Sequence, residues 1–372
     1  MPSGQRTRIL IVDDSAVMRS LLRAVISCDA GLEVAGTAAD GAAALSAIET
    51  VHPDMVLLDV EMPVMDGLVT LRKLRERGHR MPVIMCSSLT QRGAKVTIEA
   101  LACGASDYVA KPAGQSGREA FMWALSHDLI PKIHALTTHL HVALLAAARA
   151  PLLAPMAPFK ATPIVSTPTV LVIGVSTGGP SALDILLPGL PANFPLPVLL
   201  VQHMPELFTK LLAERLNSRC PLQVREAAEG EPVRAGSIYI ARGNWHMEVH
   251  AGARMGLPAT LRLNQGPPEN HCRPAVDVLF RSAAAVYGSG VLAVVLTGMG
   301  SDGMLGARVI REQGGSVLAQ DQASSTVWGM PGAICAAGLA QKVLPLNALG
   351  AEILRLASRS YADASELRER VV

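Results

Sequence analysis

Residues 170 to 180 read VLVIGVSTGGP, and this stretch decides the fold of the second half of the chain. Val170 to Val175 is a short aliphatic run, which predicts a strand buried in the middle of a sheet. The glycine-rich residues that follow predict a tight turn into a helix, with Ser176 at the centre of Gly174 to Gly178. Such a turn exposes a serine hydroxyl beside backbone N–H groups that can stabilise an oxyanion. It is also typical of a loop that binds a phosphate or a dinucleotide.

Two further strand ends carry side chains that would complete a hydrolytic site. PVLLVQHMP (197–205) brings His203 to the end of a strand, and VLAVVLTGMGSDG (291–303) ends in a turn that carries Asp302. Because parallel strands end at one edge of a sheet, we expect a triad in which His203 takes the proton of Ser176 and Asp302 orients the ring. The order Ser, His, Asp differs from that of the α/β-hydrolases. Taken singly, His203 is also typical of a surface residue and Asp302 of a helix cap.

The first 125 residues alternate short aliphatic runs with amphipathic stretches, which predicts an α/β fold with a parallel sheet covered on both faces. Polar residues follow four of these runs: Asp13 and Asp14, Asp59, Ser87, and Lys111. Converging carboxylates favour Mg²⁺, and Asp59 would act as a nucleophile toward a phosphoryl group. Lys111 would pair with the phosphoryl oxygens and Ser87 would donate a hydrogen bond to them. Each acid alone is also typical of a solvated turn or a helix cap.

Residues 8 to 125 resemble a response-regulator receiver domain, whose motifs occur here in the same order. These motifs are Ile9 to Ser15 (ILIVDDS), Leu57 to Gly67 (LLDVEMPVMDG), Ser87 with Ser88, and Asp107 to Pro112 (DYVAKP). The resemblance implies a flavodoxin-like domain that a histidine kinase phosphorylates at Asp59. It also implies that Asp14, Asp59 and the backbone carbonyl of Glu61 hold Mg²⁺, and that Ser87 and Tyr108 move on phosphorylation.

The second half of the chain resembles the catalytic domain of the chemotaxis protein-glutamate methylesterases, the CheB family. The shared motifs are Gly174 to Pro180 (GVSTGGP), Gln202 to Pro205 (QHMP), Thr297 to Gly303 (TGMGSDG) and Val327 to Pro331 (VWGMP). The resemblance implies a doubly wound, Rossmann-like parallel sheet on which Ser176, His203 and Asp302 hydrolyse glutamyl methyl esters of methyl-accepting chemotaxis receptors. It implies deamidation of glutamine as well, and no cofactor in this domain.

The resemblance also bears on the oxyanion hole, and the chain departs from the family motifs at two places. We expect the oxyanion to be held by backbone N–H groups, with Thr177 and the loop around Met299 as candidates. The chain departs from the family at Ala241 to Gly243 (ARG in place of APG) and at Cys272 to Asp277 (CRPAVD in place of HRPSVD). We expect these departures to affect substrate contacts or partner choice and not to touch the triad.

The domain organisation follows from composition. We predict a receiver domain at 7–125, a helical and proline-rich linker at 126–168, a catalytic domain at 169–355 and a charged tail at 356–372. Five prolines within residues 151 to 168 rule out a helix or central strand there. The receiver should cover the triad until Asp59 is phosphorylated. The predicted strands of the catalytic domain are 170–175, 197–202, 237–241, 290–297 and 316–320.

Composition excludes several classes of protein. Thirty-three basic against 31 acidic residues give a net charge of +2, too small for nucleic-acid binding. No apolar run approaches the roughly 20 residues of a membrane span, and no signal-peptide core follows the N-terminus, so we expect a cytoplasmic protein. Six cysteines without a CxxC pair predict free buried thiols instead of a zinc site or disulfides.

A phosphorylation-controlled module that binds a nucleotide or a partner, without esterase chemistry, is the alternative function.

Overall fold

The computed structural model describes residues 6–112, 117–148, 167–254 and 256–369. The chain divides into two compact units, Met1–Leu153 and Ala154–Val372. Most of the proline-rich linker lies outside the described residues. Within the described part of the chain, no helix has both the length and the apolar character that a membrane span requires.

The first unit is a parallel sheet whose strands alternate with helices, as predicted. Its elements are β1 Thr7–Val12, α1 Ala16–Ser27, β2 Leu32–Ala38, α2 Gly41–Val51, β3 Met55–Asp59, α3 Gly67–Glu76, β4 Val83–Ser87, α4 Gln91–Ala102, β5 Asp107–Ala110 and α5 Arg118–Ala148. The strand order is β2-β1-β3-β4-β5, which is the flavodoxin-like order. The crevice of such a sheet lies where β1 and β3 end, next to Asp13 and Asp59.

Local sequence explains how the helices of this unit begin. The side chains of Ser15, Asp40, Asp66 and Thr90 each accept a hydrogen bond from a backbone N–H in the first turn of the following helix, the standard N-cap arrangement. Residue 67 has to be glycine because a Cβ atom there would lie 2.0 Å from the carbonyl oxygen of Asp59. Helix α3 therefore begins directly against the end of β3.

The second unit is built on a larger parallel sheet. Its elements are β6 Val170–Val175, α6 Gly179–Leu186, β7 Val198–Gln202, α7 Glu206–Asn217, β8 Gln223–Glu226, β9 Ser237–Ile240, β10 His246–His250, β11 Thr260–Asn264, α8 Val276–Tyr287, β12 Val291–Val295, α9 Met304–Glu312, β13 Ser316–Gln320, α10 Met330–Ala336, β14 Lys342–Leu344 and α11 Leu346–Glu369. The seven strands of the sheet run in the order β14-β13-β12-β6-β7-β9-β8, all parallel, and β10 pairs with β11 as a separate antiparallel hairpin.

This topology positions the candidate catalytic edge. The sheet grows from β6 toward β7 on one side and toward β12 on the other, so the switch point lies between β6 and β12. Ligands bind outside the carboxyl ends of the strands at such a point. β6, β7, β12 and β13 are buried at every residue. The predicted α/β class with two parallel sheets is confirmed.

Some elements differ from the predictions. Strands β8 and β14, which form the two edges of the large sheet, are not among the predicted strands. Helix α5 runs through the predicted boundary at residue 125, and α11 continues as far as Glu369 through most of the predicted tail. The thiols were expected to be buried, but Cys28 is exposed and only Cys86 and Cys335 are fully buried.

Candidate functional sites

Ser176 lies immediately after β6, in the turn that leads into α6. Its side chain is half-buried, and its backbone N–H donates to the carbonyl of Thr297, 3.0 Å away, after β12. Residue 298 has to be glycine because a Cβ atom there would lie 2.8 Å from the Cβ atom of Ser176. The two glycine-rich turns that were recognised separately in the sequence therefore pack directly on each other.

His203 follows β7, the next strand of the sheet. Its backbone N–H donates to the carbonyl of Val175, 3.2 Å away, which places the residue beside the Ser176 turn. The imidazole is 11% exposed, and its Nε2 lies 2.8 Å from Oδ2 of Asp302. A carboxylate oxygen only accepts hydrogen bonds, so Nε2 carries a proton and Nδ1 is the nitrogen that can accept one in the neutral ring.

Asp302 is held by an unusually complete set of donors. Its Oδ1 accepts hydrogen bonds from the backbone N–H groups of Asp277 and Gly303 and from the side-chain amide of Asn270. Its Oδ2 accepts from the backbone N–H of Val276 in addition to the imidazole of His203. The carboxylate is 2% exposed, and these donors keep it ionised and fixed.

Asp302 and His203 shift each other's pKa. Burial alone would raise the pKa of Asp302, but the hydrogen bond and charge of His203, together with the backbone N–H groups of Val276 and Asp277, outweigh burial and lower that pKa. Burial alone would lower the pKa of His203, but the hydrogen bonds with Asp302 and Cys272 outweigh it and raise that pKa. The pair therefore favours an imidazolium next to a carboxylate.

Cys272 is the unexpected member of this cluster. Its Sγ lies 3.5 Å from Nδ1 of His203, and the side chain is half-buried. The expectation that the departure at Cys272 does not touch the triad is therefore wrong. The turn that carries it passes through two consecutive residues with left-handed backbone, Asn270 and His271 (φ 51° and 62°). Within the described residues, the Ser176 hydroxyl makes no hydrogen bond to the ring.

The other departure lies at a different place in the unit. Arg242 forms an ion pair with Glu206, at the start of α7, and its guanidinium lies 5.6 Å from the centre of the Trp245 ring. The backbone N–H of Gly243 donates to the hydroxyl of Thr209, 3.0 Å away. These contacts tie the loop after β9 to the N-terminus of α7.

Two residues that sequence reasoning missed connect the members of the site. The side-chain amide of Gln202 donates to the carbonyls of both Ser176 (3.0 Å) and His203 (3.3 Å), and this side chain is 2% exposed. The side-chain amide of Asn270 bridges Asp302 and Asp277, at 3.0 Å from each. For Gln202, the available sequence signal was an amide side chain directly after an apolar strand run. For Asn270, the only signal was that asparagine tolerates left-handed backbone.

The two oxyanion candidates lie in the turns after β6 and β12. The side chain of Thr177 is 5% exposed, and its carbonyl accepts a hydrogen bond of 2.9 Å from the hydroxyl of Thr297. Met299 has an exposed side chain. Among the described residues, no acceptor faces the backbone N–H of Met299. This amide is thus available to a ligand.

The predicted phosphoryl pocket of the first unit has a lysine between two carboxylates. Lys111 Nζ lies 2.8 Å from Oδ2 of Asp13 and 2.8 Å from Oδ2 of Asp59. Burial and the charge of Asp13 oppose ionisation of Asp59, and they exceed the effect of Lys111, so the pKa of Asp59 is raised. A charged lysine facing two acids leaves excess negative charge in this pocket.

The oxygen donors of this pocket fit the Mg²⁺ that the resemblance implies. Asp13, Asp14 and Asp59 each offer one carboxylate oxygen, and these oxygens lie within 4.8 Å of one another. Asp13 and Asp59 are buried, whereas Asp14 is exposed, so a cation held here would keep water on one side. Hard oxygen ligands with retained waters are what Mg²⁺ prefers. Glu61 lies at the rim of the adjoining cleft, in an ion pair with Arg92.

Ser87 and Tyr108 lie beside this pocket. The Ser87 hydroxyl donates to the carbonyl of Ser88 (3.1 Å) and accepts from the hydroxyl of Thr97 (2.7 Å). Tyr108 is 6% exposed, with the ammonium of Lys132 lying 5.2 Å from the centre of its ring. Both side chains are thus held within the unit.

Comparison with known proteins gives matches over both units. The CheB methylesterase family model matches residues 171–353, and the response regulator receiver domain model matches residues 9–118. A protein-glutamate methylesterase/protein-glutamine glutaminase of Nocardioides sp. is 52% identical over 359 residues, covering 95% of this chain and 96% of that protein. A protein of the same name from Trichodesmium erythraeum is 48% identical over 94% of this chain and 98% of its own length. The Thermotoga maritima CheB methylesterase catalytic domain is 43% identical over 51% of this chain and 100% of its own, with a TM-score of 0.49.

Proposed function

The chain belongs to the CheB methylesterase family, and we propose that it is a protein-glutamate methylesterase and protein-glutamine glutaminase whose substrates are chemotaxis receptors. The observation that carries this proposal is the 2.8 Å contact between His203 Nε2 and Asp302 at the sheet edge where Ser176 also lies. That contact leaves Nδ1 as the acceptor for a serine proton. A nucleotide-binding module would not need an imidazole oriented by a buried carboxylate.

In the first half of the reaction, the Ser176 oxygen attacks the carbonyl carbon of a glutamyl methyl ester while Nδ1 of His203 takes the serine proton. The imidazolium is stabilised by Asp302. The tetrahedral oxyanion is held by backbone N–H groups, for which Thr177 and Met299 are the candidates; each such donor is typically worth about 3 kcal/mol. Collapse breaks the bond to the methoxy oxygen, which receives the proton from Nδ1 and leaves as methanol.

In the second half, water attacks the acyl-enzyme. His203 takes a proton from the water and returns it to Ser176, which restores the serine and releases glutamate. When the substrate is a glutamine side chain, the same attack releases ammonia in place of methanol. The glutaminase activity therefore requires no additional catalytic residue.

We assign regulation to the first unit, as a receiver domain. Asp59 would accept a phosphoryl group from a histidine kinase, and Lys111 would pair with the phosphoryl oxygens. Mg²⁺, held by Asp14, Asp59 and the Glu61 carbonyl, would neutralise charge on those oxygens. Ser87 and Tyr108 would then repack and raise esterase activity.

We propose that the receiver occupies residues 7–125, the linker 126–168, the catalytic domain 169–355 and the tail 356–372. The family resemblance supports a cytoplasmic location, where a histidine kinase and the methylated helices of receptors are both accessible.

The experiment that tests the proposal is methanol release from methylated receptor membranes by the full chain. We expect release with a first-order dependence on enzyme, and a further increase when a small acyl phosphate is added with Mg²⁺. Nucleotide binding without methanol release would instead support the alternative module.

The raised pKa of His203 predicts the direction of the pH dependence. A base with a raised pKa stays protonated, and therefore inactive, to a higher pH than an ordinary histidine, whose pKa is 6.5. We expect kcat/KM for methanol release to rise about tenfold per pH unit up to an inflection above 6.5. Circular dichroism over the same pH range checks that the protein stays folded, so that a change in stability is not mistaken for a change in activity. A profile that falls with rising pH would contradict this assignment of His203.

Substitution of Asp59 tests the regulatory proposal separately from the chemistry. In Asp59→Asn we expect the ratio of rates with and without acyl phosphate to fall to one, from about 5- to 150-fold, the usual range of allosteric coupling. The matched control is Asp40→Asn, because asparagine caps helix α2 as well as aspartate does. That variant should keep the ratio of the unsubstituted chain. Activation that survives in Asp59→Asn would assign the phosphorylation to another residue.

A further inference from the structure

Cys272 and His203 form a thiol–imidazole pair inside the second unit, with Asp302 on the far side of the ring. One ligand-type atom from each of the three residues lies within 4.8 Å of the others. Sγ of Cys272 faces Nδ1 at 3.5 Å, and Asp302 binds Nε2 at 2.8 Å. The hydrolytic mechanism uses the imidazole and the carboxylate but has no use for the thiol.

The spacing of the two soft donors matches a zinc ion. Typical Zn–S and Zn–N bonds of about 2.3 and 2.0 Å at a tetrahedral angle separate sulfur from nitrogen by roughly 3.5 Å. The distance between Sγ of Cys272 and Nδ1 of His203 is the same, 3.5 Å. An ion could thus replace the thiol proton while the two atoms keep their present separation. A thiolate and an imidazole together favour zinc over Mg²⁺ or Ca²⁺.

The groups around the His203 ring also suit a zinc ligand. A histidine that binds zinc through one nitrogen usually donates from the other nitrogen to a carboxylate, which orients the ring. Asp302 already makes that contact with Nε2. Because Asp302 is saturated by its other donors, its role here is to orient the ring, and the remaining coordination positions go to water. The half-buried Cys272 leaves the pair accessible to a small ion.

We propose that Cys272 and His203 form an inhibitory binding site for a thiophilic divalent cation, zinc being the physiological candidate. Binding releases the thiol proton to solvent, together with the Nδ1 proton where the ring is an imidazolium, and places the cation on Nδ1. The inhibition rests on the proposed function, because Nδ1 is the nitrogen that has to accept the Ser176 proton. The binding itself does not rest on it. The sequence predicted no zinc site because the six cysteines form no CxxC pair. A pair of ligands such as Cys272 and His203, 69 residues apart, leaves no such pattern in the sequence.

Cobalt(II) added alone to the full chain tests the binding, since a thiolate bound to Co²⁺ gives a strong near-ultraviolet charge-transfer band. Excess Mg²⁺ occupies the oxygen-lined pocket of the first unit, whose ligands give no such band. We expect the band in the unsubstituted chain, its displacement by zinc, and its loss in Cys272→Ser. Cys220→Ser is the matched control, because Cys220 is also a half-buried cysteine of the second unit, and it should keep the band.

Methanol release with zinc added tests the inhibition. We expect inhibition that a chelator reverses. In Cys272→Ser, zinc should inhibit at least 10- to 100-fold more weakly, because loss of even an outer-shell partner of a metal site typically lowers metal affinity by that factor. No band in the unsubstituted chain, a band that survives in Cys272→Ser, or equal zinc inhibition of both proteins would overturn the site. If the protein gives the band with cobalt but releases no methanol when it is free of metal, the cation site is supported and the esterase is refuted. Methanol release without a band would do the reverse.

Discussion

Replacement of Ser176 by alanine is expected to lower methanol release from methylated receptors by on the order of 10⁴- to 10⁶-fold, as loss of the nucleophile does in other triad hydrolases. The hydroxyl is the only group proposed to bond covalently to the substrate. Its removal leaves His203 and Asp302 in contact but with no serine proton to transfer. The measurement is methanol release per mole of folded protein, with and without acyl phosphate.

The fold of this variant should be unchanged. The backbone contacts of Ser176, with Thr297 and with the side-chain amide of Gln202, do not involve the hydroxyl. The matched control is Ser181→Ala, in the first turn of α6, which should keep activity within about twofold because the mechanism gives this half-buried serine no role. Undiminished methanol release by Ser176→Ala would assign the chemistry to another residue and would refute the proposed function.

The fold was predictable because the central strands of the large sheet consist almost entirely of apolar residues. β6 (VLVIGV) and β12 (VLAVV) are buried on both faces, and such runs are recognisable without any neighbouring information. The edge strand β8 (QVRE) has a single apolar residue, Val224, which is also the only one of its four residues that is fully buried. Its strand character depends on pairing with β9, which a local pattern does not show.

The sequence predicted which strand ends carry the site residues, but not the contacts that their side chains make. Parallel strands bring their carboxyl ends together, so Ser176, His203 and Asp302 could be assigned to one edge. Which imidazole nitrogen meets which partner depends on the loop geometry. Cys272 reaches Nδ1 because the preceding residues, Asn270 and His271, adopt left-handed backbone. Asparagine and histidine adopt this conformation more often than most residues do, but the sequence does not show at which positions they adopt it.

Replacement of Asp302 by asparagine is expected to lower kcat about 10⁴-fold through the wrong imidazole tautomer, the effect known for the equivalent change in serine proteases. In free-energy terms this is a loss of about 5 kcal/mol of transition-state stabilisation. Asp184→Asn is the matched control. Asp184 is a largely buried carboxylate paired with Arg215 at 2.8 Å, so its change should lower thermal stability and leave kcat within about threefold.

The donors around Asp302 decide which way the new amide turns. Oδ1 accepts three N–H groups, whereas Oδ2 accepts the backbone N–H of Val276 and Nε2 of His203. The single oxygen of asparagine will therefore take the place of Oδ1, and its NH₂ group will face Nε2. Nε2 then has to accept, which moves the ring proton to Nδ1 and removes the base that Ser176 needs. An NMR spectrum of the histidine ring nitrogens reports the tautomer directly; a ring that stays protonated at Nε2 in this variant, with full activity, would contradict the assignment of Asp302.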